Sequence, residues 1–114
     1  MRKWAIFPEP LPYQGRSVRK LLLYQKPSGE TCVFLYERPE AQICCADEWY
    51  PSLEEALAAW EGVPRSEWEE AEDPAPGCQE DAVLPLRVKG RAEGRPLWGS
   101  WEILKDGVWQ PYEE

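Results

Sequence analysis

The chain has 114 residues, of which 43% are hydrophobic and 30% are charged, and its formal net charge is −8. This length leaves room for one hydrophobic core, which excludes two separate domains, and the apolar content excludes a chain that is disordered throughout. Histidine is absent, which excludes Ser-His-Asp and Cys-His mechanisms within a single copy of this chain.

The N-terminal residues MRKWAIFPEP include two basic residues but no apolar run of the length that a signal peptide needs. No stretch approaches the roughly 20 apolar residues of a membrane span. The sequence therefore predicts a soluble cytoplasmic protein without a membrane segment, in which the four cysteines are reduced.

Charge is distributed unevenly along the chain. Residues 1–29 carry six Lys/Arg against one Glu, residues 30–82 carry two Arg against fifteen acidic residues, and residues 83–114 carry five of each. The segment charges are therefore +5, −13 and 0. The acidic middle makes nucleic acid an unlikely partner, since non-specific nucleic-acid binding needs a basic surface. It favours attraction to a basic protein, although a merely solvated acidic face is the simpler alternative.

Four strands are predicted before the first helix. Trp4–Phe7 is a short apolar run that ends at Pro8 and is typical of an edge strand. Two longer strands, at 17–25 and 31–37, flank a Lys-Pro-Ser-Gly-Glu turn that predicts a hairpin with Gln25 opposite Thr31. Both faces of this hairpin are apolar, which predicts cover on both sides. A further strand is expected at 42–46 (QICCA).

The main helix is predicted within the segment 47–62 (DEWYPSLEEALAAWEG). Ser52 and Glu55 have the spacing of a capping box, in which the hydroxyl accepts from the N3 amide and the carboxylate from the cap amide. Gly62 is placed for the left-handed position after the helix, and Pro64 prevents continuation. One apolar stripe follows the helical period and comprises Leu53, Ala56, Leu57 and Trp60.

The C-terminal half is predicted to be mostly strand. A short turn of helix is expected to begin at Ser66, followed by an acidic window. A strand is expected at 82–89, where Pro85 restricts it to an edge or bulge. Strands at 98–104 and 108–112 flank Asp106-Gly107, which is a strong hairpin signal and should place Lys105 opposite Val108.

These elements predict a single α+β domain over residues 1–114. Its mainly antiparallel sheet, built from hairpins and a meander, should have about five to seven strands, with one main α-helix packed on one face. Most of the seven tryptophans are expected in the core, because large rings bury much area in a small domain. Exposed stacking surfaces for a sugar or base are the alternative.

No catalytic residue, metal site or cofactor is indicated. None of the four cysteines forms a C-x-x-C pair, so a zinc site lacks its usual spacing. Three cysteines are expected to be buried, whereas Cys78 lies in a loop and could be an exposed thiol with a raised pKa. Carboxylate pairs such as Asp47-Glu48 and Glu80-Asp81 could support hydrolysis or bind a cation, but a charged surface explains them equally well.

Two groups of residues are candidate binding surfaces. Arginine and tryptophan dominate binding hot spots, and basic residues interleaved with aromatics can stack on a base or sugar. For the basic and aromatic residues between positions 87 and 101, the alternative is a basic strand paired with the acidic middle of the chain. The second group is an acidic partner surface. The basic–aromatic group comprises Arg87, Lys89, Arg91, Arg95, Trp98 and Trp101, and the acidic group comprises Glu67, Glu69, Glu70, Glu72 and Asp73.

The sequence favours a non-enzymatic protein that binds a basic macromolecule, by analogy with small acidic immunity proteins that neutralise toxins. The alternative is a small-ligand-binding protein or enzyme with a pocket near Trp98, Trp101 and the loop Gly90–Pro96. A third hypothesis is dimerisation through an edge strand such as Trp4–Phe7. The sequence leaves a monomer and a homodimer equally open.

Overall fold

The computed structural model describes all 114 residues. It contains eight β-strands and one α-helix, and every strand pair is antiparallel. No helix is long and apolar enough to span a membrane. The elements are β1 (Arg2–Tyr13), β2 (Arg16–Gln25), β3 (Thr31–Tyr36), β4 (Ala46–Tyr50), α1 (Leu53–Ala59), β5 (Glu69–Ala71), β6 (Leu86–Val88), β7 (Trp101–Lys105) and β8 (Val108–Tyr112).

The strands form two sheets. Sheet A has five strands in the order β4-β3-β2-β1-β5, and sheet B has three in the order β6-β7-β8. The prediction that the chain is mostly antiparallel sheet with one helix is confirmed. The prediction of one sheet with five to seven strands is corrected to eight strands in two sheets.

The β2–β3 hairpin forms as predicted. Gln25 pairs with Thr31, and the register continues through Leu23 opposite Val33. In the turn, the amide of Gly29 donates to the carbonyl of Lys26 at 2.9 Å, and Gly29 has a φ of 97°. Glycine adopts this left-handed backbone without the steric cost of a Cβ atom.

Strand β1 differs from its prediction in length and position. It continues through Pro8, Pro10 and Pro12, and its first residues pair with β2 on one side and β5 on the other. The register shifts between Ile6 and Leu11, so that the proline-rich part is displaced relative to β2. Proline lacks an amide donor, and the prolines follow the last residue that β5 covers, which is the position a strand tolerates.

The expected edge at Trp4–Phe7 is therefore wrong. Trp4 pairs with Glu69 of β5, and the Ile6 amide donates to the Ser66 hydroxyl at 2.9 Å. The Ser66 amide in turn donates to the Ile6 carbonyl at 2.8 Å. This pairing also replaces the helical turn predicted at Ser66, and it removes the open edge on which dimerisation through Trp4–Phe7 depended.

The strand predicted at 42–46 lies four residues later, in β4. Residues 37–45 instead form bends and turns, and Ala41 is buried against a face of sheet A, with its carbonyl accepting from the Lys20 ammonium at 2.7 Å. The ladder then pairs Ala46 with Leu35 and Tyr50 with Thr31. Anchoring Ala41 over the sheet takes up the chain that the prediction had assigned to the strand.

Helix α1 begins where the sequence predicted. The Ser52 hydroxyl accepts from the Glu55 amide at 3.2 Å. The Glu55 carboxylate accepts from the Ser52 hydroxyl at 3.2 Å, in place of the predicted bond from the cap amide. Gly62 has no positive φ, so it does not take the left-handed position that was predicted for it.

Two buried clusters lie on opposite faces of sheet A. One contains Ala56 and Trp60 together with apolar side chains of β1, β2 and β3. The other lies on the opposite face, and its members are Leu22, Tyr24, Phe34, Tyr36 and Ala41. The alternation of apolar residues on both faces of β2 and β3 is therefore explained by cover on both sides, as predicted.

The prediction that most of the tryptophans lie in the core is wrong. Only Trp60 is buried, whereas Trp49 and Trp98 are 59% and 74% exposed. The remaining four are half-buried. In place of tryptophans, the strands supply the larger share of the core through leucine, valine, phenylalanine and tyrosine side chains.

Sheet B contains the second predicted hairpin. Lys105 pairs with Val108, and Asp106 and Gly107 both have positive φ, at 51° and 77°. The strand predicted at 82–89 is reduced to β6, which lies at the edge of the sheet and follows Pro85 directly. The first residues of the strand predicted at 98–104 lie in a turn, so Trp98 is outside β7.

Candidate functional site

The basic–aromatic group is divided by the fold into three places. Arg87 lies in β6, where its Nε donates to Glu102 at 2.9 Å and its guanidinium lies 4.0 Å from the centre of the Trp109 ring. Glu102 therefore neutralises the charge of Arg87, which weakens the attraction of this residue for an anionic ligand. For this residue, the alternative of pairing within the chain describes the geometry best, although the partner is Glu102 rather than the acidic middle.

Two further members of the basic–aromatic group lie next to a recess of about 220 Å³. Lys89 and Trp101 line it, together with Gly99, Tyr112 and neighbouring residues. Trp98 is not part of its lining and stands 74% exposed in the turn before β7. The loop at 90–96 does not contribute to this recess either, so the predicted pocket between Trp98, Trp101 and that loop does not form.

The remaining arginines of the group, Arg91 and Arg95, lie in the exposed loop after β6. The Arg91 guanidinium donates to the Gln79 side chain. The loop closes through the Arg95 amide, which donates to the Gly90 carbonyl at 2.9 Å. Arg91 faces the largest cavity of the molecule, while no side-chain contact holds Arg95.

The largest cavity, called the cleft below, has a volume of about 870 Å³ and lies between sheet A and the segment 77–92. Phe34 and Cys44 contribute from the sheet A side, and Asp47 contributes from β4. The cleft is lined by polar and apolar surface in similar amounts, and it carries charges of both signs. Its charged lining residues are Lys26, Asp47, Glu80, Asp81, Arg87 and Arg91.

The segment across the cleft is held by buried polar side chains. Arg2 is 2% exposed, and its guanidinium donates to the carbonyls of Glu72, Glu80 and Ala82 at 2.6, 3.1 and 2.5 Å. The hydroxyl of Tyr36 donates to the Asp81 carbonyl. Burial lowers the pKa of Arg2 and raises that of Tyr36. These bonds fix the backbone that carries Glu80 and Asp81 toward the cleft.

The two carboxylate pairs noted in the sequence behave differently. Asp47 and Glu48 are adjacent in β4, so their side chains point to opposite faces of sheet A, and only Asp47 reaches the cleft. Glu80 and Asp81 both line the cleft. No group of three or more Cys, Asp or Glu side chains is arranged to hold a metal ion.

The cysteines are all free and all half-buried, which differs from the predicted contrast between three buried thiols and an exposed Cys78. The Cys44 thiol donates to the Asp81 carboxylate at 3.2 Å. Burial raises the pKa of the Cys44 thiol, and it also raises the pKa of the Cys78 thiol. Since the thiolate is the reactive form, neither thiol is activated as a nucleophile.

The acidic group lies along one edge of sheet A and is called the acidic edge below. It includes two residues of β5, the outermost strand, and all five of its members are exposed. Only Asp73 makes an ion pair, with the N-terminal amine at 2.7 Å. The nearby cations Lys3 and Arg65 lie over the Trp68 ring, 5.0 and 4.9 Å from its centre. The acidic edge therefore presents mostly uncompensated negative charge.

Sequence reasoning did not identify the cleft, because its charged residues come from distant segments of the chain. A weak signal was present in Glu80-Asp81, which follows a proline-rich loop. Comparisons with protein families, with curated proteins and with solved structures found no match to this chain. Its function is therefore argued from these surfaces alone.

Proposed function

We propose that this chain is a non-enzymatic protein of the cytoplasm that binds a basic protein partner through the acidic edge. The observation that supports this most directly is the lack of internal ion pairs along this surface, where four of the five carboxylates have no cationic partner. The formal net charge of −8 adds a long-range attraction for a basic protein. The four free thiols fit a reducing compartment.

The position of the acidic edge in the fold also supports this function. Strand β5 is short and outermost, and Glu69 and Glu70 lie on it. Charged residues on an edge strand oppose pairing with another copy of the same strand, because like charges would meet. The same charges are complementary to lysine and arginine, so the acidic edge disfavours self-association and favours a basic partner.

The test compares three baits in extracts of the native organism, with recovered proteins identified by mass spectrometry. The first is the wild type. The second carries Glu→Gln at the four unpaired residues of the acidic edge, and the third carries Glu→Gln at four exposed glutamates elsewhere. Both variants have a net charge of −4, so they differ only in where charge was removed. The control positions are Glu9, Glu61, Glu93 and Glu113.

We expect the wild type and the control variant to recover the same basic protein, and the acidic-edge variant to lose it. With the recovered protein purified, affinity should fall as ionic strength rises, since salt screens exposed charges beyond about 10 Å at 0.1 M. Binding that is indifferent to salt, or equal in the two variants, would contradict the proposal.

A small-ligand-binding or enzymatic function near Trp98, Trp101 and the loop Gly90–Pro96 is the weaker candidate. The recess beside Trp101 is small, at about 220 Å³, whereas ligand sites usually measure about 300–1,000 Å³. The larger cleft includes Arg91 and Ala92 of that loop but neither tryptophan, and its charged lining residues suit a ligand that carries a charge.

A further inference from the structure

Strand β4 leaves one edge of sheet A open, opposite the acidic edge. Its residues Ala46, Glu48 and Tyr50 pair with residues of β3 that direct their backbone groups toward β4. Because backbone direction alternates along an antiparallel strand, the amides and carbonyls of Asp47 and Trp49 point outward. No backbone hydrogen bond outside the strand ladders involves either residue. An unpaired edge of this kind accepts an additional strand.

Of the two residues whose backbone points outward, Asp47 lines the cleft and Trp49 does not. Asp47 lies opposite Phe34 and Trp49 lies opposite Cys32, so both belong to the face of sheet A that borders the cleft. Trp49 is 59% exposed and stacks on no other aromatic ring. A large exposed aromatic ring beside an open strand edge is typical of a binding hot spot.

The cations of the cleft are mostly occupied by other residues. Lys26 lies 3.5 Å from Glu30 and 3.6 Å from Glu80. Arg87 is held by Glu102 at 2.9 Å. The third cation, Arg91, donates to a neutral glutamine side chain in the exposed loop. Two of the three positive charges are therefore neutralised before any ligand arrives.

The carboxylates nearest β4 are not neutralised in this way. Asp47 makes no ion pair or side-chain hydrogen bond, and the Asp81 carboxylate accepts only from the Cys44 thiol. Burial first, and then the negative charges of Asp81 and Asp47, raise the pKa of Cys44. Both carboxylates are thus close to one neutral thiol at the β4 side of the cleft, where a cation would be favoured.

We infer that β4 accepts an extended basic segment of a partner protein as an added strand, and that a lysine or arginine of this segment enters the cleft beside Asp47 and Asp81. Trp49 would contribute a ring face to the same cation or to the next one, two residues along the segment. This inference rests on the proposed function in that the partner is basic, but it assigns the contact to the edge opposite β5.

A second copy of the chain does not fit this edge. Symmetric antiparallel pairing of two β4 strands about their centre would place Glu48 opposite Glu48 and bring both copies of Asp47 into the interface. Like charges directly opposite each other destabilise a strand pair, and each copy carries a net charge of −8. A basic strand relieves the same charges.

The experiment titrates the full chain with a short peptide that alternates threonine and lysine, capped at both ends, and follows the Trp49 indole and β4 amide signals by NMR. Three further ligands separate the contributions. An otherwise identical peptide N-methylated on the amides of one edge cannot form the strand pairing. A peptide with glutamate in place of lysine reverses the charge, and lysine amide supplies the cation without a strand.

The expected result is that the lysine peptide shifts the β4 signals, while the methylated peptide, the glutamate peptide and lysine amide bind at least about tenfold more weakly. The Asp47→Asn and Asp81→Asn double variant should also weaken the lysine peptide about tenfold, which corresponds to about 1.4 kcal/mol. A Glu61→Gln and Glu113→Gln variant, which removes the same charge elsewhere, should bind as the wild type does. Unchanged melting temperatures verify that each variant is folded.

Several outcomes would overturn the inference. Equal binding by the Asp47→Asn and Asp81→Asn variant would remove the cleft from the contact, and equal binding by the methylated peptide would remove the strand pairing. Comparable binding of lysine amide would leave a site for small cations only. If only the acidic-edge variant loses peptide binding, the proposed function survives and the β4 contact fails. If only the Asp47→Asn and Asp81→Asn variant loses peptide binding, the β4 contact holds and the acidic edge fails.

Discussion

Glu48 is the acceptor for two tyrosine hydroxyls, on the face of sheet A whose buried cluster includes Val33 and Trp60. The Tyr13 hydroxyl donates to one carboxylate oxygen at 2.6 Å, and the Tyr50 hydroxyl donates to the other. The Trp60 indole N–H donates to the Tyr50 oxygen at 3.2 Å. One carboxylate therefore links β1, β4 and the end of α1, which gives this residue a structural reason to be acidic.

This network predicts a loss of stability at alkaline pH. The hydrogen bond to Glu48 raises the pKa of Tyr13 to about 12, and burial raises the pKa of Tyr50 to about 12, against an ordinary value of 10.0. Below pH 10 both tyrosines are protonated whether the chain is folded or not, so their contribution is fully present. Between pH 10 and pH 12 the unfolded chain ionises first, and the contribution is lost as pH rises.

We expect the free energy of unfolding, measured with urea at a series of pH values, to fall across the window from pH 10 to pH 12. The Tyr13→Phe and Tyr50→Phe double variant should show a shallower fall. Other tyrosines with raised pKa values, including Tyr36, keep the slope from vanishing. A double variant with the same slope as the wild type would show that this network does not control alkaline stability.

Burial separates two tryptophans that look alike in the sequence. Trp60 is 7% exposed and packs against Phe7 with ring centres 6.3 Å apart, whereas Trp49 is 59% exposed. We expect Trp60→Ala to lower the free energy of unfolding by about 3–5 kcal/mol, because it empties a filled site and leaves Tyr50 without its donor. Trp49→Ala should change it by about 0.5 kcal/mol or less. Urea unfolding measures both, and similar losses would contradict the assigned burial.

Among the secondary-structure elements, those with a local chemical signal were predicted best. The Asp106-Gly107 turn, the Gly29 turn and the Ser52 cap all depend on residues within four positions of each other, and all three form. The turn at Gln14-Gly15 has the same pair of positive φ values as Asp106-Gly107, at 47° and 78°. It was missed because the first strand was predicted to end at Pro8, which left Gln14-Gly15 outside any hairpin.

Elements that depend on distant partners were predicted poorly. Residues 69–71 are mostly charged, yet they form a strand because Arg2, Lys3 and Trp4 of β1 supply the pairing partners. The pattern of apolar residues gives no sign of this. The cleft was missed for the same reason, since Asp47 and Asp81 meet only when Arg2 and Tyr36 hold the segment after β5 against sheet A.

The loop after β6 contains a glycine that the structure strictly requires. Gly90 has a φ of 77°, and a Cβ atom there would lie 2.3 Å from the Arg95 carbonyl oxygen. Gly99 has a φ of 93° but no atom within 4 Å of such a Cβ. Gly99→Ala should therefore cost only the left-handed backbone strain of about 1–2 kcal/mol, while Gly90→Ala adds a clash with backbone that cannot rotate away.

The two glycine variants are matched, and the difference in their free energies of unfolding measures the clash. We expect Gly90→Ala to be clearly the more destabilising, with hydrogen exchange accelerated at the amides of Arg95 and Leu97, which close the loop. Equal losses in the two variants would mean that the loop can open without cost.

At the scale of the whole molecule, the contacts between the two sheets determine whether the chain unfolds as one unit. Leu86 and Val88 of β6 are fully buried but belong to neither cluster of sheet A. The sheets are connected by polar contacts: the Gln42 side chain accepts from the Leu84 amide at 2.9 Å, and the Ile43 amide donates to the Glu114 carboxylate at 3.1 Å. Neither buried cluster of sheet A includes a residue of sheet B, so these polar links are made outside a shared cluster.

A single domain over residues 1–114 remains a prediction, and these contacts make it testable. Arg2 of β1 is the most buried of the links, because it bonds three carbonyls of the segment that leads into sheet B. We expect the wild type to unfold in one transition, with the amides of both sheets losing hydrogen-exchange protection together. Arg2→Met should leave three carbonyls without their donor and separate the transitions, with sheet B opening first. If the amides of sheet B in the wild type exchange hydrogen well before those of sheet A, the chain contains two cooperative units. In that case Arg2→Met should alter only the stability of the segment that Arg2 contacts.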